Sequence, residues 1–406
     1  MIWEIAWENI WRNKQRSLIV IFSMAVGLLG GTFTAALVFG MRDQKINASV
    51  NYEVSNIQLH NPKYLDNNET QYFINSADSI VQYISEIPGV KAVAKRTKVL
   101  GMVNYSSFSS GVQIVGINTE EERNTSSIYK TICDSCGNYF ETAKKNPAVI
   151  SRKLANKLKA RLHSKIVLRF PRSDGEIQTA AFNIVGIYHT SNTAFDESNV
   201  FVRNKDLTDS SGLFFKTHEI AVLLNNNDSL ISITSKLKAK YPQLSVMTWK
   251  EIQPQLAILE GFVGVELYVI LGIILFALAF GIVNTMLMVV LERVRELGML
   301  MAIGMNKAKI FKMIMLETLL LTTTGGVVGM ILSGILLLSF GHRGIDLSSV
   351  SKGMESLGYE AMIYPKISLQ YYLNLSLMII VTGVLSSIYP SRKALKLRPA
   401  EAVRAE

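Results

Sequence analysis

Apolar positions in this chain are bunched into long uncharged runs. Ser17–Met41 holds 25 residues without a charge, Leu267–Leu291 another 25, Thr318–Gly341 24 and Ile367–Tyr389 23. A helix rises 1.5 Å per residue, so ~20 residues cross the ~30 Å hydrocarbon core of a bilayer. Each run predicts a spanning helix. The first is too long for the apolar core of a signal peptide and reads as a retained anchor. After Pro254 nothing breaks the pattern until beyond Leu291. That continuous helix is longer than ~30 Å of hydrocarbon requires. Its excess, with Glu260 and Glu266, is expected to project as a stalk.

Ahead of the first run, Trp3, Ala6, Trp7, Ile10 and Trp11 follow helical spacing along one face. Tryptophan favours the membrane–water boundary. Residues 1–16 therefore read as an amphipathic elbow helix, with Trp3, Trp7 and Trp11 as its interfacial side chains. Packing on another subunit would explain the same pattern.

Between the first two runs, short alternating and helical patterns interleave. Val54–His60 predicts a strand, Ser76–Ile87 a helix, and Val90–Ile117 strands broken at Gly101, Gly111 and Gly116. A helix at Ser151–Leu162 and a strand at Ala180–Tyr188 follow. Strand, helix and strand come next at Glu219–Leu224, Ser229–Lys240 and Leu244–Thr248. The fold class is then an α-helical membrane domain of four transmembrane helices with a large α+β extracytoplasmic domain between helices 1 and 2. Two lobes are expected in that domain, split near residues 141–147.

Charge sets the orientation. Arg12, Lys14 and Arg16 precede the first run, and Arg293, Arg295, Lys307, Lys309 and Lys312 lie in the 292–312 connection. Arg392, Lys393, Lys396, Arg398 and Arg404 lie in the tail, whereas the 342–366 connection has only Arg343, Lys352 and Lys366. The positive-inside bias puts both termini and 292–312 in the cytoplasm. The expected order is an elbow helix (1–16), span one (17–41), a periplasmic domain (42–261) and span two (262–291). A cytoplasmic coupling segment (292–312), span three (313–341), a short outer loop (342–366), span four (367–389) and a cytoplasmic tail (390–406) follow. Half of the basic side of the net charge of +10 is accounted for by cytoplasmic flanks and a mixed-charge outer domain, and no basic-aromatic pattern points to nucleic acid.

Motifs for catalysis are missing. No G-x-x-x-x-G-K-[ST], G-x-S-x-G or H-E-x-x-H occurs. His60, His163, His189, His218 and His342 have no metal-like spacing. Cys133 and Cys136, the two cysteines, read as a local disulfide in an external loop, with redox or metal chemistry as alternatives. Glu317, near the start of span three, is the intramembrane acid. It is either functional, or it snorkels to the interface or pairs with a nearby base such as Lys312 or Lys309. Gly27 and Gly31, and Gly325, Gly329 and Ser333, repeat at four-residue spacing and permit close helix contact, within one chain or between chains.

The stretch Gly281–Arg293, with Asn284-Thr285-Met286 inside it, runs into Val294-Arg295-Glu296-Leu297-Gly298-Met299-Leu300-Met301-Ala302-Ile303-Gly304-Met305. This resembles the FtsX/MacB-type ABC transporter permease superfamily, in which a span ends in Asn-Thr-Met and an E-R-x-R-E-x-G-x-L-x-A-x-G helix follows. The opening Ala6–Lys14 and the closing Tyr389–Ala394 and Leu397–Arg404 resemble that superfamily too. Ile57-Gln58-Leu59-His60 is more like the lipoprotein-releasing LolC/LolE branch. The cysteine pair is outside the pattern.

The resemblance implies a non-catalytic permease in a bacterial inner membrane, dimeric with a copy or paralogue, clasping two cytoplasmic ABC ATPases. The chain opens at the elbow helix, so the ATPase is expected as a separate polypeptide. No cofactor is expected on this chain; ATP and magnesium belong to the partner. Glu292–Met305 would be the coupling helix, with Glu292, Arg293, Arg295, Glu296, Leu297, Gly298, Leu300, Ala302 and Gly304 as its residues. An apolar face of Leu297, Leu300 and Met301 is expected to grip the partner. The work implied is mechanotransmission, most directly lipoprotein release. MacB-like efflux of small molecules or peptides and FtsX-like signalling are the alternatives.

Overall fold

A computed structural model describes residues 2–12, 14–141, 145–172, 175–211 and 216–395. The closing motif at Leu397–Arg404 lies outside the described residues. Two compact units form. One comprises residues 1–42, 260–347 and 362–406, and the other residues 43–259 and 348–361.

Four helices in the described residues are long and apolar enough to cross a membrane. The first is Lys14–Ser49, continued by a π-helical turn, Val50–Val54. The second is one 39-residue helix, Pro254–Glu292, unbroken as the apolar pattern requires. Lys307–Arg343 and Leu369–Leu395 are the third and fourth. Their inward faces share a core that includes Met24, Leu28, Leu271, Met286, Leu321 and Ile379. Phe22, Phe276, Phe280 and Leu338 point outward and are exposed, as lipid-facing side chains are.

Small residues set the spacing of these helices. A Cβ at Gly325 would lie 2.8 Å from Met24 Cβ and 3.0 Å from Ile21 O. One at Gly329 would lie 3.0 Å from Ala25 Cα, and one at Gly383 2.3 Å from Thr322 Cγ2. The Gly325/Gly329 face is thus used inside this chain, against the first helix. Ser333, next in that series, shares a hydrogen bond with Tyr372 OH at 3.0 Å.

Among the described residues of the second unit ten strands build one sheet: Ile57–His60 (β1), Val90–Tyr105 (β2), Phe108–Ile117 (β3), Ile132–Gly137 (β4), Pro147–Ser151 (β5), Lys165–Pro171 (β6), Ile177–Tyr188 (β7), Asn199–Arg203 (β8), Glu219–Leu224 (β9) and Ser245–Thr248 (β10). Their order is β10-β1-β9-β2-β3-β8-β5-β7-β4, with β6 pairing β2 and β7. Pairing is antiparallel except for β3 with β8 and β5 with β7. Helices Ala77–Ser85 and Leu230–Lys240 bury Ile80, Ile84, Ile233 and Leu237 against β1, β9 and the start of β2. A second core joins Val99 and Val103 of β2 to Ala148, Ile150, Phe170 and Phe182.

Two expectations are corrected here. The cores do not divide at 141–147. Residues 147–151 pack with the strands before them, and the chain passes from one core to the other along the 16-residue strand β2. Nor do Gly101, Gly111 and Gly116 break strands. All three lie inside β2 or β3. Gly101 is there because a Cβ would lie 2.5 Å from Arg169 O of the neighbouring strand.

Candidate functional site

The first unit turns sharply between its second and third long helices. The long helix ends at Glu292, Arg293 leaves helical geometry with φ −99° and ψ 17°, and a nine-residue helix, Val294–Ala302, follows. Glu292 therefore closes the long helix rather than opening the short one. Gly304 ends the short helix at φ +97°. Its N–H donates to Met301 O at 3.1 Å, and that of Met305 donates to Leu300 O at 2.9 Å. This is the Schellman arrangement, in which a left-handed residue after the helix satisfies the last carbonyls. A Cβ at Gly304 would meet nothing within 4 Å, so backbone geometry alone selects glycine. Asn306 starts the next helix by accepting from Ala308 N at 3.1 Å.

Four charges of alternating sign are strung across this turn. Arg12 of the opening helix, Ile2–Arg12, donates to Glu296. Arg293 Nε donates to Glu296 Oε2 at 2.9 Å, and Arg293 Nη1 donates to Glu317 Oε1 at 3.0 Å and Oε2 at 3.4 Å. Burial works against the Glu296 charge, but hydrogen bonds from Arg293 and Arg12 hold its carboxyl below the usual carboxylate range. A small cavity beside the chain is bounded by Arg12, Arg293 and Glu317, and by Val20, Met286 and Leu321. Glu317 thus pairs with Arg293 rather than with Lys309 or Lys312. Its buried side chain faces the bundle interior, where the turn brings Arg293 and no lysine of its own first turns reaches.

The short helix also corrects the expected gripping face. Leu297 is only 2% exposed and lies in the bundle core with Gly298 buried beside it, and Leu300 and Met301 pack against the same core. The outward face instead carries Arg295, Met299, Ala302 and Ile303, with Met299 51% and Ile303 86% exposed. An isoleucine this exposed at a helix end, framed by charge, is a surface suited to a partner. Helical spacing in the sequence picked out the Leu297, Leu300 and Met301 face as apolar without telling that it was inward.

The opening helix divides likewise. Ala6 and Ile10 are buried, whereas Trp7 and Trp11 are exposed and meet edge to face with ring centroids 6.0 Å apart. The Trp3 side chain lies outside the described residues.

A buried charge cluster in the sheet unit was missed by sequence reasoning. His60, Glu219 and Arg96 stand in one row across β1, β9 and β2. Arg96 forks onto Glu122 at 2.7 and 2.9 Å and reaches Glu219 at 2.8 Å, while Lys98 donates to Glu219. Burial would raise the Glu219 pKa, but Lys98, Arg96 and His60 push it down to about 2. Burial pushes His218 down to about 4. The available signal was Glu219 heading an otherwise apolar strand; its partners are distant in sequence.

Cys133 and Cys136 are joined by a disulfide, with Cα atoms 5.0 Å apart. No group of three or more metal-ligating side chains occurs among the described residues.

Comparison with known proteins adds to this geometry. The chain is 26% identical to an uncharacterized ABC transporter permease of Methanocaldococcus jannaschii, over 57% of each chain. It is 23% identical to the pyoverdine export ATP-binding/permease protein PvdT of Pseudomonas fluorescens, over 99% of this chain and 59% of that one. It is 22% identical to the uncharacterized ABC transporter permease YknZ of Bacillus subtilis, over 99% of this chain and 98% of that one. The chain thus spans less than three-fifths of the length of the first two. Residues 268–399 match the FtsX-like permease C-terminal family, and residues 17–240, more than half of the chain, match the MacB-like periplasmic core domain. The chain belongs to the family of the MacB-like periplasmic core domain, continued here by an FtsX-like permease C-terminal region.

Proposed function

We propose that this chain is the permease subunit of an ABC transporter and couples ATP hydrolysis on a separate cytoplasmic subunit to work by its extracytoplasmic sheet domain. The observation that carries this reading is the turn at 293–305. It offers Met299 and Ile303 to a partner and is tied through Glu296 and Arg293 to the opening helix and to the third span. A partner moving this helix would load two other elements through charge-assisted bonds. Two ATPase subunits and a second permease complete the assembly in an inner membrane with both termini cytoplasmic. The chain itself is non-catalytic, and ATP and magnesium sit on the partner.

Lipoprotein release is the work suggested by Ile57–His60. Those four residues are all buried in β1, where they serve the sheet whatever the cargo. Relatives named for macrolide and pyoverdine export favour efflux of a small secreted molecule, and we take efflux as the stronger reading.

Affinity purification of the tagged chain in mild detergent, with mass spectrometry, tests both levels. Recovery of an ATPase with an envelope adaptor or channel supports efflux. Acylated lipoproteins in place of the adaptor return the reading to lipoprotein release, and absence of any ATPase removes the transporter assignment.

A further inference from the structure

We propose that the Cys133–Cys136 disulfide is a thiol–disulfide exchange site that accepts electrons from a dithiol, with Arg152 holding the departing thiolate. The geometry is local. Strand β4 lies at one end of the sheet order and pairs β7 at only two positions, Ile132 with Tyr188 and Gly137 with Gly186. Four residues on β4 therefore stand opposite the single residue Ile187, and the two cysteines are the first and last of that bulge. Asp134 and Ser135 at its tip are exposed, and both cysteines are half-buried, so a thiol can approach.

Arg152 Nη2 lies 3.5 Å from Cys136 Sγ and 3.8 Å from Cys133 Sγ, an exposed guanidinium placed against both sulfurs. A cation beside sulfur favours the thiolate and speeds its departure. A structural role gives these features no purpose. A loop this short constrains the unfolded chain least, and β4 is also held to β7 by the flanking ladder pairs. In particular, a Cβ at Gly137 would lie 2.1 Å from Val185 O, so the strand is already seated against β7.

The reaction balances as two exchanges. One thiolate of the donor attacks either sulfur, the S–S bond breaks, and the electron pair leaves on the other sulfur beside Arg152. The second donor thiolate then attacks the mixed disulfide and releases the remaining cysteine. The donor ends as a disulfide, and its two protons end on Cys133 and Cys136.

The test uses the full chain in detergent, with dithiothreitol as the dithiol and a mass-tagged maleimide to count free thiols. Both cysteines should label in the folded protein. Arg152→Gln should slow reduction about threefold or more, and Arg152→Lys should retain most of the rate. Added salt should slow the unsubstituted protein, which needs no variant to fold. Labelling only after unfolding, or equal rates with and without Arg152, would overturn the proposal.

Discussion

Arg293 Nη1 lies 3.0 Å from Glu317 Oε1, so the residue just past the end of one long helix is fastened to the buried interior of the next long helix. The pair is largely buried, and breaking a buried pair from one side is costlier than removing it whole, by about 3–5 kcal/mol. Glu317→Leu alone should therefore lower the detergent thermal midpoint clearly. Adding Arg293→Met should recover most of the loss. An equal loss in the double variant would show that the two residues act separately.

Exchanging charges at Arg293 and Glu296 would not isolate partner binding, since Arg293→Glu also faces Glu317. Ile303→Glu is the cleaner variant. Its side chain touches solvent on nearly all sides, so folding should be unchanged. Loss of a well-packed apolar anchor costs about 2 kcal/mol or more, which should weaken ATPase recovery ~30-fold. By contrast, Leu297→Glu should damage the bundle itself. Ile303→Glu that binds the ATPase normally would remove the outward face from the coupling role.

How far the sequence reached depends on the range of the physics involved. Four spanning helices were legible because length and absence of charge are properties of one segment. The turn was legible through the resemblance of Gly281–Met305 to a permease motif, and the structure shows that Gly304 is required there by its own φ. Facing was not, because Leu297 and Ile303 are equally apolar and only the bundle decides which is inward. The Arg96–Glu122–Glu219 cluster was invisible because strand order, not spacing, brings its members together. Arg152 reaches the cysteines through the placement of β5 and the helix after it, again a matter of topology.

Helix spacing gives a steric prediction. A Cβ at Gly329 would lie 3.0 Å from Ala25 Cα and 3.1 Å from Ala25 O, a backbone surface that cannot yield by rotating a side chain. Gly329→Val should force the first and third spans apart, at about 1–3 kcal/mol. The measurement is the thermal midpoint of the purified chain. Gly272→Val, where a Cβ meets nothing within 4 Å, is the control and should leave it unchanged.

The buried charges of the sheet unit should make it acid-sensitive in two stages. His218 is held at about 4, below its ordinary 6.5, because burial disfavours its charged form. An unfolded chain therefore takes up the proton first, and stability falls as pH drops from about 6.5 towards 4. Glu219 is held at about 2, below its ordinary 4.5, against burial and by Lys98, Arg96 and His60. Its contribution is complete above about 4.5 and is lost as pH falls from there towards 2. Both signs agree, so the urea midpoint should decline throughout acidification, gently at first and more steeply below about 4.5. Burial lowers His60 as well, with the same sign, so His218→Gln should reduce the upper stage while leaving the lower one. Glu219→Gln should leave Lys98 without its carboxylate and Arg96 with Glu122 alone, lower stability by about 3 kcal/mol at neutral pH, and remove most of the lower stage. A midpoint independent of pH between 7 and 3 in the unsubstituted protein would show that the cluster does not set the acid limit of this fold.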